Sequence, residues 1–426
     1  MEPRWKALAR RPDLQAACGA ALLILLNLWL YHNLFRTEFL NDFQSNEGMM
    51  AVIGRFLREH PGARWFPLWN AGLPIENSYS LVVPILTAVM SATTGISTLL
   101  ALHQIAGTVL VLGPAVWAWV AFRWGLPAGA ASLGGLALSI TTISSILFPQ
   151  LATDLPRRTD ARLIRDVASY GDIAHPAALV LIAWCLLLIY RTIRSGRWGY
   201  YGAAIPLAAL ALLTNGFGMS TLAISGLALV LAFEPAAMPR AAGKGLLIGA
   251  WGYLCACGIL TPTLLGTISK NSQLVGGDFR FTWRTAAAWV VILAIAGVLE
   301  RSTRRIAFVE RFLVQFTWLF CAILLVFVLT GVAPLPQPER YHLEMNVGLS
   351  FLAAAALWRV PRLPRIAIVA ALLALAVPQT LRLRQDCRTL LAGVDVRNTF
   401  EYRISRWLAE HMPGDRVMAG GTRCSG

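Results

Sequence analysis

Charge is what this chain has least of. Only 14% of its 426 residues are Asp, Glu, Lys or Arg, whereas 57% are hydrophobic. A soluble domain of this length carries about 25% charged residues, so a soluble globular protein is excluded. Cysteine is sparse and scattered, at positions 18, 185, 255, 257, 321, 387 and 424. No pair has zinc-ligand spacing, and most lie within apolar runs, where cysteine is a small buried hydrophobe. The chain has no clear internal repeat and no low-complexity tract, and after its basic opening "MEPRWKALARRPD" the apolar stretch is long, with no small-x-small cleavage site preceding the first loop. The first apolar run is therefore read as an uncleaved span and not as a secretory leader.

What is there instead is a succession of apolar runs, with a mean hydropathy of +0.59. They predict an all-α, polytopic transmembrane bundle of about 11 spans, at roughly 14–36, 101–122, 127–148, 174–192, 200–214, 217–233, 245–265, 285–299, 312–333, 343–358 and 366–380. The net charge of +15 does not indicate nucleic acid, because the basic residues cluster in short turns between apolar runs. A further apolar stretch, 80–98, is decided by parity. If it does not cross, the N-terminal arginines and the turns holding Arg123, Arg191, Arg194, Arg197, Arg240, Lys244, Arg301, Arg304, Arg305, Arg311, Arg359, Arg362 and Arg365 all face the cytoplasm. If it crosses, those turns all face outward, against a bias of about 1 kcal/mol per basic residue near an anionic leaflet. The stretch is read as interfacial or re-entrant, with Pro74 before it and Pro84 within it.

This topology puts the N-terminus in the cytoplasm, and it puts the loops 37–79, 149–173, 266–284 and 334–342 and the tail from 381 on the outer face of the membrane. Residues 1–380 are expected to form the transmembrane unit and 381–426 the start of a soluble outer segment. In that tail, Phe400, Ile404, Trp407 and Leu408 share one face of an amphipathic helix, and "RVMAGG" has the character of a strand. One helix and one strand cannot bury a core, so the segment is expected to be truncated.

The outer loops carry the unusual polar residues. In the first, "EFLNDFQSNEGMM" sets Asp42 and Glu47 within a few residues of the bilayer. Met49, Val52, Ile53, Phe56 and Leu57 follow helical spacing, with Ser45 as N-cap, and Trp65, Trp69 and Tyr79 suit the headgroup layer. A carboxylate here can be solvated, can bind a divalent cation, or can take a proton from an attacking hydroxyl. The second outer loop holds Asp154, Asp160, Asp166 and Asp172 with Arg157, Arg158, Arg162, Arg165 and His175. It reads either as a salt-bridged solvated helix or as a second acid facing Asp42, with arginines for a phosphate. In "PQPERYHLEMN", Glu339, Arg340, His342, Glu344 and Asn346 sit at or inside the start of a span. Ionisable residues at such depth mark a functional site or a mutually paired network, in which Glu339 and Glu344 would neutralise Arg340.

The motifs "DFQSNEG", "WFPLWNAGLPIENSYS", "ALHQIAG", "YGDIAHP", "LLTNGFG", "PQPERYHLEMN" and "WLAEHMPGDRV", in that order, resemble the bacterial membrane proteins labelled 6-pyruvoyl-tetrahydropterin synthase-related. Those proteins in turn are similar to the GT-C glycosyltransferases, which include oligosaccharyltransferase catalytic subunits and protein mannosyltransferases. The resemblance covers nearly the whole chain. It implies a GT-C-like fold and a sugar donor carried on a polyprenyl phosphate. It implies an acid after the first span, Asp42, as base or metal ligand, and a second acid in the next outer loop, Asp166, with Asp160 close behind. The site expected on this basis has Asp42 and Asp166 as catalytic acids, and Trp69 and Tyr79 stacking on sugar. Arg162, Arg340 and His342 are placed near the phosphate, and a divalent cation, Mg or Mn, is placed on Asp42, Glu47 and Asp160. Partners are membrane lipid, the lipid-linked sugar and an acceptor of unknown class, with no nucleic acid. Two departures stand out: "SYSLVVP" replaces a Tyr-x-Pro pattern, and the chain ends at "GGTRCSG" where relatives continue. The competing functions are a lipid-linked sugar flippase or transporter and a non-catalytic envelope scaffold. The nearly uncharged span centres count against transport.

Overall fold

The computed structural model describes residues 11–40, 46–67, 72–75, 80–153, 155–271 and 282–413. The first helix, α1 (Pro12–Tyr31), opens with a proline, which suits a first turn whose amides have no helical partner anyway. It closes in a 3-10 turn, His32–Phe35. Asn27, buried at its middle, donates to Ser139 Oγ at 2.9 Å. This is the polar adhesive expected between apolar helices. After residues outside the description comes α2 (Glu47–Glu59), amphipathic as its spacing predicts. Arg55 bonds Glu59 at 2.8 Å, one turn on, and that hydrogen bond holds the Glu59 carboxyl below its ordinary range. A two-residue ladder, β1 (Trp65–Phe66) with β2 (Leu73–Pro74), pairs antiparallel with Trp65 opposite Pro74.

The stretch expected over 80–98 is α3 (Val82–Thr94). Thirteen residues rise about 20 Å, short of the roughly 30 Å of a hydrocarbon core. Gly95, with φ 75°, turns it into α4 (Thr98–Arg123), capped by Ser97 accepting from Leu100 N. Packed against α4 are α1, α3 and α5 (Ala128–Ile140). Here the structure corrects the sequence reading. One span was expected over 127–148, but α5 stops at Ile140 and a short α6 (Ile143–Leu147) follows. The reason is Asn346. Its Oδ1 accepts from Ile143 N at 2.7 Å and its Nδ2 donates to the Thr141 carbonyl at 3.3 Å. A side chain from elsewhere thus satisfies the peptide groups that an unbroken helix would pair.

The second outer loop contains α7 (Arg162–Ala168) and leads into α8 (Ala174–Ser195). Next come α9 (Trp198–Thr214) and α10 (Gly216–Leu231), separated at Asn215, where a break was expected. Asn215 is extended and accepts from Phe217 N, capping α10. Then follow α11 (Met238–Ala256), α12 (Pro262–Lys270), α13 (Trp283–Thr303) and α14 (Phe308–Thr330). Helix α15 (His342–Trp358) is central, with most of its residues buried against α5 and α14. The helix expected over 366–380 is longer, α16 (Arg362–Leu390), and only Leu383, Arg384 and Cys387 of it are buried. The predicted amphipathic tail helix is α17 (Phe400–His411); the strand expected at "RVMAGG" lies outside the described residues.

Among the described residues, six stretches are long and apolar enough to cross a membrane: α1 with its 3-10 turn, α4, α8, α13, α14 and α16. Shorter apolar helices, α3, α5, α9 and α10, complete a polytopic helical bundle. The main core gathers Trp117, Trp124, Phe312, Phe316 and Phe320 with facing leucines and alanines.

Candidate functional site

Polar residues meet where the break after α5, the loop with α7, the start of α8 and the start of α15 come together. The break supplies Thr142, whose hydroxyl donates to the Asp160 carbonyl and accepts from Arg162 N, both at 2.8 Å. Asp160 bends back, and its Oδ2 accepts from Arg157 N at 3.1 Å. That carboxylate closes a turn, which fixes where α7 begins.

Helix α7 buries Ile164, Val167 and Ala168, and this apolar anchor carries Asp166 inward to 6% exposure. Asp166 holds two partners. Arg162, one turn earlier, places Nε 3.3 Å from Oδ1, and its Nη1 bonds the Leu151 carbonyl. His342, the first residue of α15, places Nε2 3.0 Å from Oδ2. The His342 Nδ1 faces the Glu339 carbonyl at 2.8 Å. A carbonyl only accepts, so Nδ1 carries a hydrogen. Gly171, at φ 62°, takes the left-handed turn that ends α7 and lets Asp172 N bond the Asp166 carbonyl.

Beside this cluster, Arg340 Nη1 lies 3.2 Å from Asp172 Oδ2, with its guanidinium 5.5 Å above the Phe217 ring. The sequence offered Glu339 and Glu344 as its partners, and the structure gives Asp172 instead. Glu344 is turned inward, fully buried, accepting from Thr221 Oγ1 at 2.5 Å and lying 2.8 Å from His175 Nε2. His175 thus does more than open a helix. Its ring stacks on that of Phe217, 5.5 Å between centroids. The Arg340 side chain is 38% exposed, so the guanidinium edge is reachable from outside. Just before it, Gln337 has φ 45°, a costly left-handed conformation for a residue with a side chain.

The first loop meets the second. Asn46 N and Nδ2 both point to the Tyr170 carbonyl, at 3.3 and 3.5 Å. Glu47 Oε1 lies 2.9 Å from His103 Nε2. Of the residues singled out from sequence, the structure brings together Asp166, Arg162 and His342. Arg340 lies nearby, Asp160 sits in the adjoining turn, and Glu47 is at the start of the contacting helix. Asp42, Trp69 and Tyr79, and the cap Ser45, lie outside the described residues. Sequence reasoning missed His103, Asp172 as a partner, and the wedge formed by Asn346. An ionisable residue inside an apolar run, the mark of His103, was the available signal.

Among the described residues no three His, Cys, Asp or Glu side chains group closely enough to hold a metal ion. Glu47 spends Oε1 on His103 and Asp160 spends Oδ2 on its own turn. The described residues therefore do not fit the expected Mg or Mn site by themselves.

An apolar cleft runs from this polar cluster between α4, α5, α8 and α15. Val109, Gly113, Leu179 and Val180 line its depth, and Thr142, Arg162 and Asn346 lie at its polar end.

The fold has solved counterparts. The archaeal oligosaccharyltransferase of Archaeoglobus fulgidus, in complex with an inhibitory peptide and a dolichol-phosphate, superposes with a TM-score of 0.56 at 14% identity, over 94% of this chain and 58% of that one. An oligosaccharyltransferase of the same organism, in complex with Zn and sulfate, gives 0.53 at 16% identity, over 93% and 55%. The arabinofuranosyltransferase AftD from Mycobacteria gives 0.52 at 15% identity, over 93% and 28%. The chain thus shares the membrane fold of these solved structures, and it spans a little over half the length of the archaeal enzyme. No family model matches the sequence, and no curated protein matches it.

Proposed function

We propose that this protein is a membrane glycosyltransferase that uses a polyprenyl-phosphate-linked sugar on the outer face of a bacterial inner membrane. The observation that carries the reading is the buried Asp166–His342–Arg162 cluster, with Arg340 nearby and Arg162 also lining an apolar cleft, in a chain that shares the fold of solved GT-C glycosyltransferases. The run of motifs from "DFQSNEG" to "WLAEHMPGDRV" supports a relation to the pterin synthase-related membrane family.

The reaction is an inverting displacement. An acceptor hydroxyl oxygen attacks the anomeric carbon, the bond from that carbon to the phosphate oxygen breaks, and the lipid phosphate leaves. Asp42 takes the hydroxyl proton. Asp166, held by Arg162 and His342, is the second acid, and its negative charge favours the oxocarbenium-like sugar in the transition state. Arg340 meets the charge that develops on the departing phosphate. Its planar fork matches phosphate oxygens in pairs. Trp69 and Tyr79 stack on sugar. A divalent ion has an incomplete ligand set among the described residues, so no step passes through one.

The test is transfer by the purified full chain, supplied with a panel of polyprenyl-phosphate sugars. The wild type is expected to transfer, and Asp42→Ala and Asp166→Asn are expected to fall by about a hundredfold or more. A wild type inactive across the panel, or variants as fast as wild type, would overturn the reading.

A further inference from the structure

We propose that His103 is a positioning residue that fastens the first outer loop, with one imidazole holding both ends of the segment between Thr37 and Glu47. The proposal rests on the glycosyltransferase reading for its purpose, because that segment carries Asp42. Its geometry stands alone. His103 belongs to the first turns of α4 and is 1% exposed. Its Nδ1 lies 2.7 Å from the Thr37 carbonyl, and its Nε2 lies 2.9 Å from Glu47 Oε1. The two contacts come from opposite ends of a stretch ten residues apart in sequence, and they converge on one ring.

The neighbouring positions of α4 serve the same end. Gln104 Nε2 donates to the Phe35 carbonyl at 3.2 Å. Gly107, one turn from His103, leaves room for the Phe35 ring; a Cβ there would stand 2.8 Å from it. The 35–37 turn is thus seated on this face of α4, with Arg36 N and Thr37 N both bonded to the Asn33 carbonyl. On the other side, Asn46 is bonded to the Tyr170 carbonyl, and Tyr170 N to Arg165 O in the loop that bears Asp166. The ring therefore sits on a short path of polar contacts from the end of α1 to the second acid.

A buried histidine most often satisfies itself locally. Two features separate this one. Both ring nitrogens lie within 3 Å of oxygens outside its own helix. Those groups are the two ends of one segment, so releasing the ring frees both at once.

Hydrogen–deuterium exchange on the full chain in lipid nanodiscs tests the clamp, with peptides covering 34–40 and 48–56 read against α9 as internal reference. In His103→Leu, exchange at both peptides is expected to quicken by about tenfold while α9 keeps its rate. Glu47→Leu is expected to loosen the 48–56 peptide alone. Glu47→Gln is expected to stay close to wild type, because the amide can donate to Nε2 while Nδ1 keeps Thr37. In the same preparations, binding of undecaprenyl phosphate is expected to be unchanged in His103→Leu, while sugar transfer falls by about tenfold to a hundredfold. Unchanged exchange at both peptides, or acceleration spread evenly through α9 with a fall in Tm, would overturn the proposal. A wild type with no transferase activity would sink the functional reading, and the exchange result would still decide the clamp.

Discussion

Arg340 shows how pairing at a membrane surface leaves a residue available for more than one task. Its contact with Asp172 is partly exposed, and such a pair contributes about 0–1 kcal/mol. Replacement by lysine keeps a positive charge opposite Asp172 but loses the planar fork. Arg340→Lys is therefore expected to keep its Tm near wild type and to bind undecaprenyl phosphate about tenfold more weakly, measured by titration in detergent. A lower Tm with unchanged lipid binding would assign Arg340 to structure alone. The residue types of this site were legible in the sequence, since Asp166, Arg162, Arg340 and His342 stood out as ionisable groups at span ends. The pairing was not legible. His342 and Asp166 are 176 positions apart, and nothing in local spacing distinguishes Asp172 from Glu339 or Glu344 as the partner of Arg340. Tertiary packing decides it: Glu344 is turned into the bundle toward His175 and Thr221.

Among the elements, the interrupted α5–α6 helix carries most of the consequence. Thr142 is free to bond Asp160 and Arg162 because the helix stops, and the helix stops because Asn346 takes over its peptide groups. Asn346→Leu would leave the Ile143 amide and the Thr141 carbonyl without that partner in a buried setting, at a cost of about 1–3 kcal/mol. The expected result is a lower Tm together with loss of transfer, because the start of α7 shifts and Asp166 shifts with it. An Asn346→Leu variant with wild-type Tm would show that the break does not depend on this side chain. Helix existence along the chain was readable from apolar runs, and the break at Asn215 from its flanking glycines. The break at Thr141 was not, since an apolar run with two threonines reads as continuous helix until a side chain from a distant element is seen to enter it. The end of α16 was misplaced for a related reason. The expected span stopped at 380, where the apolar run ends, yet Arg384 lies back along α1, bonding the Leu30 carbonyl at 2.8 Å and resting over Trp29.

For the molecule as a whole, sidedness is the property that the function most needs. The arginine-rich turns predict it, and an impermeant thiol reagent applied to intact spheroplasts checks it. In a background whose native cysteines are replaced by alanine, Arg158→Cys in the second outer loop is expected to label, and Arg359→Cys, between α15 and α16, is expected to stay unlabelled until the membrane is opened. Both positions are exposed. Labelling of the two alike would refute the arrangement. The bundle architecture was the most legible property of all, because a bilayer leaves the backbone few options but helices and writes that demand into composition.

The contact between Arg384 and Leu30 joins positions 354 residues apart, and Val394 N reaches the Phe39 carbonyl close by. The first-made membrane helix is therefore completed by one of the last. During synthesis, α1 must wait in the lipid with its outer end unfinished while the helices between are inserted. Until α16 arrives, the segment after α1 lacks its partner at Val394, so the candidate site gains this support only once translation has passed residue 394. A ribosome stalled between α15 and α16 would hold a nascent chain with every helix of the central bundle and an open outer seam, a natural point for a membrane quality-control protease to distinguish finished copies from unfinished ones.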